Sequence, residues 1–134
     1  MAKLVSWTAD LSVGIDAIDD QHRRIVDYIN ELHAANKKHD RKAVARVLDD
    51  LMEYTVSHFS FEEALMERAG YRFLRPHKKV HEQFTRRVTE FRQRFRLGET
   101  VESELQETLV NWLMNHIRKE DKNYSATVRE AGQG

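Results

Sequence analysis

Four segments of this chain repeat apolar residues every three to four positions, which is the spacing of an amphipathic α-helix. Asp40 stands where it can cap the second segment, and Gly70 can end that segment in the left-handed conformation. Gly98 closes the third segment. The pattern therefore predicts four helices whose apolar faces share one core. The predicted helices cover residues 18–35, 41–69, 73–97 and 101–117.

The two ends of the chain lack this sustained period. Residues 1–17 mix apolar with small and polar residues, so we expect an irregular or extended N-terminal arm that packs across the helices. A weak final helical turn is expected around Tyr124 to Arg129. Because the helices are joined by short connections, we expect an all-α, up-down-up-down antiparallel four-helix bundle. The predicted single domain spans 1–134, with the arm at 1–17, the bundle at 18–121 and a C-terminal tail at 122–134.

Composition and charge narrow the classes of function. The chain has 134 residues, and its 22 lysines and arginines balance 22 aspartates and glutamates, so no net field attracts nucleic acid or an anionic membrane. Its apolar stretches are too short to span a bilayer, and its N-terminus lacks the apolar core of a signal peptide. We therefore expect a cytoplasmic protein with no nucleic-acid partner and no membrane insertion. The absence of cysteine means that any metal here needs His, Asp or Glu ligands.

Several ionisable residues fall on the apolar faces of the predicted helices, where burial is costly unless a partner compensates. On the second helix His58 and Glu62 are four positions apart, so they share one face. His77 and His81 on the third helix have the same spacing. The first and fourth helices each add one histidine. The complete set is His22, His58, Glu62, His77, His81 and His116.

The topology of the bundle brings these residues together. In an up-down-up-down bundle the starts of helices one and three lie at the same end as the finishes of helices two and four. All of the histidines on apolar faces occur in those four segments, so we expect them to converge at one end. His33 and His39 lie at the far end of the first helix and in its loop, and we expect both at the surface.

Asp121 is a further candidate that spacing alone leaves undecided. An ideal helix turns about 100° per residue, so the five positions after His116 rotate Asp121 about 140° away from the shared locus. The polar residues after Ile117 would allow the last turn to loosen and the carboxylate to swing back.

The number of candidate ligands indicates two metal ions. Five imidazoles and one or two carboxylates exceed the capacity of a single octahedral ion. If Glu62 and Asp121 each bridge both ions, together with one solvent-derived oxygen, roughly eleven of twelve octahedral positions are filled. The vacant position falls on the ion with two histidines and would accept a small molecule. Imidazole-rich ligand sets suit iron, copper, zinc and nickel, so the residue types leave the metal open.

Four motifs carry a resemblance to a known family. They are IDDQH at 18–22, HFSFE at 58–62, HKKVH at 77–81 and HIRKED at 116–121. In this order and spacing, over nearly the whole chain, the sequence resembles the hemerythrins of the single-domain bacterial type, the bacteriohemerythrins. The resemblance implies two iron ions joined by an oxo or hydroxo bridge, with dioxygen as their ligand. The implied iron ligands are His77, His81 and His116 on one ion, His22 and His58 on the open ion, and Glu62 and Asp121 bridging both.

Five apolar residues flank these ligands. By matching positions in the hemerythrins they would wall the dioxygen site, in addition to ordinary core packing. No catalytic acid or base is evident beside the open position, so no catalytic residue is assigned. The Glu-x-x-His pairs of ferritin-like di-iron proteins are absent from the sequence, which sets that class aside. The expected pocket residues are Ile25, Phe59, Trp112, Leu113 and Ile117.

The function implied by the resemblance is reversible dioxygen binding by a carrier, storage or delivery protein, which is not an enzyme. Two alternatives stay open: a di-iron enzyme that acts on nitric oxide or peroxide, and a sensor of oxygen or redox state. The enzyme would need polar residues or an electron-transfer partner near the open iron, and the sensor would need to change the packing of the arm or the tail. Besides dioxygen, the expected partners are an oxygen-consuming enzyme and a reductase, and we expect a monomer.

Overall fold

The chain folds into a bundle of four long helices followed by a shorter one. A computed structural model describes residues 6–100, 102–117 and 122–130. Contacts run from α1 to α2, from α2 to α3, from α3 to α4 and from α4 back to α1, so the four long helices form a closed ring of neighbours. This arrangement confirms the predicted all-α four-helix bundle. The helices are α1 (Asp16–Lys37), α2 (Arg41–Ala69), α3 (Leu74–Arg96), α4 (Glu102–Asn115) and α5 (Lys122–Glu130).

The helix ends lie where the sequence predicts them, to within a few residues. The Asp40 carboxylate accepts a hydrogen bond from the Ala43 backbone N–H at 3.1 Å and so caps α2. Gly70 has a φ of 70°, and its N–H donates to carbonyls in the last turn of α2. Gly98, with a φ of 91°, follows α3 and donates its N–H to the Phe95 carbonyl at 3.0 Å. These ends produce the short connections that make neighbouring helices antiparallel.

The core is a continuous apolar layer between the helices. Each long helix contributes buried residues at helical spacing, and α3 contributes three aromatic rings, Phe84, Phe91 and Phe95. None of the described helices is both long enough and apolar enough to cross a membrane. Hydrophobic side chains with 0% exposed surface include Ile18, Ile29, Leu32, Leu48, Met66, Leu105, Ile117, Tyr124 and Val128.

The N-terminal arm is irregular from residue 6 to α1, apart from a single 3₁₀ turn at Ala9–Leu11. Its apolar residues beyond this turn, Val13 and Ile15, are buried against the bundle. The Asp19 carboxylate in the first turns of α1 accepts hydrogen bonds from the Ser12 hydroxyl at 2.6 Å and from the Val13 backbone N–H at 2.9 Å. The arm is therefore tied to the start of α1, as its expected packing across the helices requires. Residues 1–5 of the predicted arm lie outside the described residues.

The C-terminal segment forms a longer helix than the single turn expected there. α5 has nine residues and packs against α2, with Tyr124 and Val128 fully buried. Only these two residues, four positions apart, provide an apolar face, so the local pattern is weak and the contact with α2 stabilises the helix. Residues 118–121 and 131–134 lie outside the described residues, and the division into arm, bundle and tail stays a prediction.

We expect the link between the arm and α1 to contribute measurably to stability. Asp19→Ala leaves the Ser12 hydroxyl and the Val13 N–H without their buried acceptor, so urea unfolding should show a loss of about 1–3 kcal/mol. The matched control is Asp20→Ala, because Asp20 is 73% exposed and pairs with Arg23 at the surface. That variant should change stability by less than about 0.5 kcal/mol. Equal losses in the two variants would contradict the role of Asp19.

Candidate metal centre

The five histidines on the predicted apolar faces and Glu62 form one buried cluster at one end of the bundle. Their exposed fractions run from 0% for Glu62 to 3% for the most exposed histidines. One histidine comes from the start of α1, one from the second half of α2, two from the start of α3 and one from the residue that follows α4. The antiparallel topology brings these segments together, as expected from the pattern of the sequence.

The cluster divides into two groups that share Glu62. One group is Glu62 with His77, His81 and His116, and the other is Glu62 with His22 and His58. Within each group the nearest potential ligand atoms all lie within 4.8 Å of one another. The structure thus places three histidines on one side of the shared carboxylate and two on the other. Asp121, the seventh predicted ligand, lies outside the described residues.

The carboxylate of Glu62 lies between the two groups. Its Oε1 atom is 3.0 Å from Nε2 of His58 in one group and 3.5 Å from Nε2 of His81 in the other. Its Oε2 atom is 4.0 Å from Nε2 of His22. One oxygen of Glu62 thus lies between the two groups and the other lies on the side of His22, so the carboxylate is within reach of ions in both groups.

The donor atoms of the cluster fit metal ions. Among the described residues, Nε2 of His58 and Oε1 of Glu62 are buried without a hydrogen-bond partner, an arrangement that costs stability unless a ligand compensates it. Nε2 of His81 and Nε2 of His116 approach to 3.3 Å. Two imidazoles bound at right angles to one ion, with bonds of about 2.1 Å, would have nitrogens about 3 Å apart. The cluster is therefore able to hold metal.

Two of the histidines are oriented by hydrogen bonds from the ring nitrogen that points away from the centre. The Nδ1–H of His58 donates to Oε1 of Gln21 at 2.6 Å. The Nδ1–H of His81 donates to Oε2 of Glu63 at 2.8 Å. Both contacts fix the tautomer that leaves Nε2 with a lone pair directed into the cluster, and they raise its strength as a ligand. The sequence pattern does not single out Gln21 and Glu63, although each is directly adjacent to a predicted ligand.

The partly buried position of Glu63 beside the cluster affects the pKa of its carboxyl group. Burial raises the pKa of Glu63 above its ordinary value, while the charges of Lys78 and His77 oppose this effect. The side chain is 25% exposed, so it forms the boundary between His81 and solvent.

Tyr124 is a further contact of the cluster that the sequence pattern does not indicate. Its hydroxyl donates a hydrogen bond to Oε2 of Glu62 at 2.6 Å, and the side chain has no exposed surface. The residue reaches the cluster from α5, the element that the sequence predicts only weakly. The spacing of Tyr124 and Val128 is the one local sign of a buried face there, and it does not indicate what the hydroxyl contacts.

Aromatic rings cover the histidines of the larger group. The ring of Phe59 stacks on His81 with centroids 3.8 Å apart, and the ring of Trp112 stacks on His116 at 4.4 Å. Trp112 is half-buried and lines an outer groove of about 580 Å³ between α3 and α4, so it separates His116 from that groove. The other three expected pocket residues are buried, with exposed fractions of 3% for Ile25, 1% for Leu113 and 0% for Ile117.

The end of α4 departs from a regular α-helix at the cluster. The α-helical part ends at Asn115, and residues 116–117 lie in a wider π-type turn. In such a turn residues five positions apart come to the same face, which is the spacing from His116 to Asp121. The loosening expected from the polar sequence begins at this point, although Asp121 itself lies outside the described residues.

The remaining histidines lie outside both groups. His39 is exposed, as expected, and has a φ of 55° in the connection between α1 and α2. His33 is half-buried, and its Nδ1 is 3.3 Å from Nε2 of Gln106. The surface position expected for His33 is thus only partly realised, because α4 packs beside this part of α1.

Known proteins with similar sequences and structures share one family name. The family described as Hemerythrin HHE cation binding domain matches residues 13–128. A protein named Bacteriohemerythrin from Pseudomonas aeruginosa is 53% identical over 131 residues, covering 98% of this chain and 85% of that protein. A Bacteriohemerythrin from Methylococcus capsulatus is 34% identical over 123 residues, covering 90% of this chain and 94% of that protein. A crystal structure of a wild-type hemerythrin has a TM-score of 0.88 at 33% identity, covering 93% of this chain and 98% of that one.

Proposed function

The chain belongs to the hemerythrin family, and from this premise we propose that it binds dioxygen reversibly at a non-heme di-iron centre, as an oxygen carrier, store or delivery protein. The observation that carries the proposal is the unequal pair of groups that share Glu62. Three histidines on one side and two on the other leave one ion with an incomplete set of protein ligands. Dioxygen needs such an open position in order to bind.

The residues that would hold the iron are those of the buried cluster. His77, His81 and His116 would bind one iron, and His22 and His58 would bind the other. We propose Glu62 and Asp121 as the two bridging carboxylates, with an oxo or hydroxo group from solvent as a third bridge. Two iron ions held in this way would supply the electrons for reversible dioxygen binding.

The protein contributes orientation of its ligands and exclusion of water. Gln21 and Glu63 hold the rings of His58 and His81 so that their Nε2 atoms face the centre. We propose that Ile25, Leu113 and Ile117, with the rings of Phe59 and Trp112, wall the dioxygen site. A dry, apolar wall disfavours any step that separates charge, because neither water nor a polar side chain stabilises the products. Such a wall would favour release of dioxygen without net oxidation of the iron.

Access for a small ligand is provided near the group with two histidines. A groove of about 350 Å³ between α1 and α2 reaches His58, with Gln21 and Ser57 among its lining residues. We propose this groove as the route by which dioxygen approaches the centre. The groove therefore supports ligand binding on the side that has the open position.

The carrier function is favoured over the two alternatives by the chemistry of the wall. All five proposed pocket residues are apolar or aromatic, so none of them can act as an acid or base in the reduction of nitric oxide or peroxide. A sensor would require a change in packing that reaches the arm or the tail. Cytoplasmic localisation, a monomeric state, and an oxygen-consuming enzyme and a reductase as partners stay predictions.

The direct test is a cycle of oxygen uptake and release by the purified protein. After anaerobic loading with ferrous iron, metal analysis should give about two iron atoms per chain, as the two groups around Glu62 require. Exposure to air should produce a colour that disappears when oxygen is removed and returns over repeated cycles. One zinc without iron would contradict the metal assignment. Irreversible colour with release of hydrogen peroxide in the first cycle would contradict reversible binding.

The proposed wall predicts a specific effect on the lifetime of the oxygen-loaded protein. Leu113→Asn introduces a polar side chain at a buried position and should accelerate autoxidation roughly tenfold or more, equivalent to about 1.4 kcal/mol in the barrier. Iron content should stay near two per chain, which shows that the centre is intact. The matched control is Glu107→Asn, at an exposed position on the same helix. Equal decay in air for both variants would show that Leu113 serves only in packing.

A further inference from the structure

Tyr124 donates a hydrogen bond to the carboxylate of Glu62. Among the described residues it is the one neutral side chain that does so. The donor hydroxyl and the Oε2 acceptor are 2.6 Å apart, and neither side chain has exposed surface. A hydrogen bond to a carboxylate is about twice as strong as one between neutral groups, and burial removes the competition from water. Glu62 is also the residue that both groups of the cluster share.

We propose that Tyr124 is a positioning residue for the bridging carboxylate of Glu62. Its hydroxyl donates to one of the two lone pairs of Oε2. The second lone pair of Oε2 stays available on the side where His22 lies, 4.0 Å away. With Oε2 held, Oε1 stays between His58 and His81. Tyr124 thereby selects the rotation of the carboxylate in which Oε1 lies between the two groups and Oε2 lies on the side of His22. This inference rests on the metal centre proposed above.

Tyr124 is itself held firmly enough to act in this way. Its ring meets the ring of His77 edge-on at 5.4 Å and the ring of Tyr71 at 6.2 Å. One turn later on α5, Val128 is fully buried, and the helix packs against α2, which carries Glu62. The phenol is therefore held by its ring contacts with His77 and Tyr71 as well as by the packing of α5.

The hydrogen bond should also tune the metal. A phenol that donates to a ligand oxygen withdraws negative charge from it, so the carboxylate stabilises ferric iron less strongly. Removal of the donor should lower the midpoint potential of the iron pair. It should also weaken metal binding, because the carboxylate is then free to rotate. Loss of such outer partners typically reduces metal affinity about 10- to 100-fold.

The test compares Tyr124→Phe with Tyr71→Phe. Both changes remove only a hydroxyl, and both rings belong to the same aromatic cluster. Anaerobic titration of the metal-free proteins with ferrous iron should show a 10- to 100-fold weaker affinity for Tyr124→Phe and a nearly unchanged affinity for Tyr71→Phe. The midpoint potential should fall in Tyr124→Phe alone. Wild-type affinity and potential in Tyr124→Phe would overturn the proposal.

Two further variants separate positioning from general packing. Val128→Ala weakens the docking of α5 but keeps the hydroxyl, so it should lower the melting temperature of the metal-free protein and leave the midpoint potential unchanged. Equal shifts of the midpoint potential in Val128→Ala and Tyr124→Phe would overturn the proposal in favour of a structural role.

Placing 3-fluorotyrosine at position 124 makes the hydroxyl a stronger donor, so the midpoint potential of the iron pair should rise. A fall would contradict the proposal, and this readout holds even if Tyr124→Phe does not fold.

Failure of this inference is distinguishable from failure of the proposed function. If the wild-type protein does not bind two ferrous ions, the di-iron centre itself is wrong. If the wild type binds two and Tyr124→Phe binds them with equal affinity and potential, the centre stands and only the role of Tyr124 is rejected.

Discussion

The structure depends on one constraint, the complete burial of the Glu62 carboxylate. A charge with no exposed surface is tolerated only if nearby groups replace the water it has lost. Glu62 has imidazoles within reach of both oxygens and a phenol donor on one of them. The rest of the cluster is arranged around this carboxylate, and two metal ions on its two sides would complete the compensation.

The bundle supplies the rigidity that such a centre needs. Four helices meet at one end and supply candidate ligands from four segments, while the apolar residues of the core form one continuous cluster between the helices. The arm is tied to the start of α1 by Asp19, three positions before His22. Gln21 and Glu63 then fix individual rings. The placement of each nitrogen follows from packing far from the centre as well as from its immediate contacts.

The sequence predicts the fold and the convergence of the cluster because both follow from local periodicity and short connections. The spacing of His58 and Glu62 fixes their shared face, and Asp40 and Gly70 fix the ends of the helix that carries them. Tyr124, Gln21 and Glu63 escape prediction because their contacts join positions 18 to 62 residues apart. Asp121 stays a prediction, since its placement depends on how far the wide turn at His116 extends.

Anomalous diffraction at the iron edge tests the central claim most directly, on crystals of the protein loaded anaerobically with ferrous iron. We expect two anomalous peaks on opposite sides of Glu62. One should lie among His77, His81 and His116, and the other should lie beside His22 and His58. A single peak, or two peaks of which neither contacts Glu62, would contradict the account.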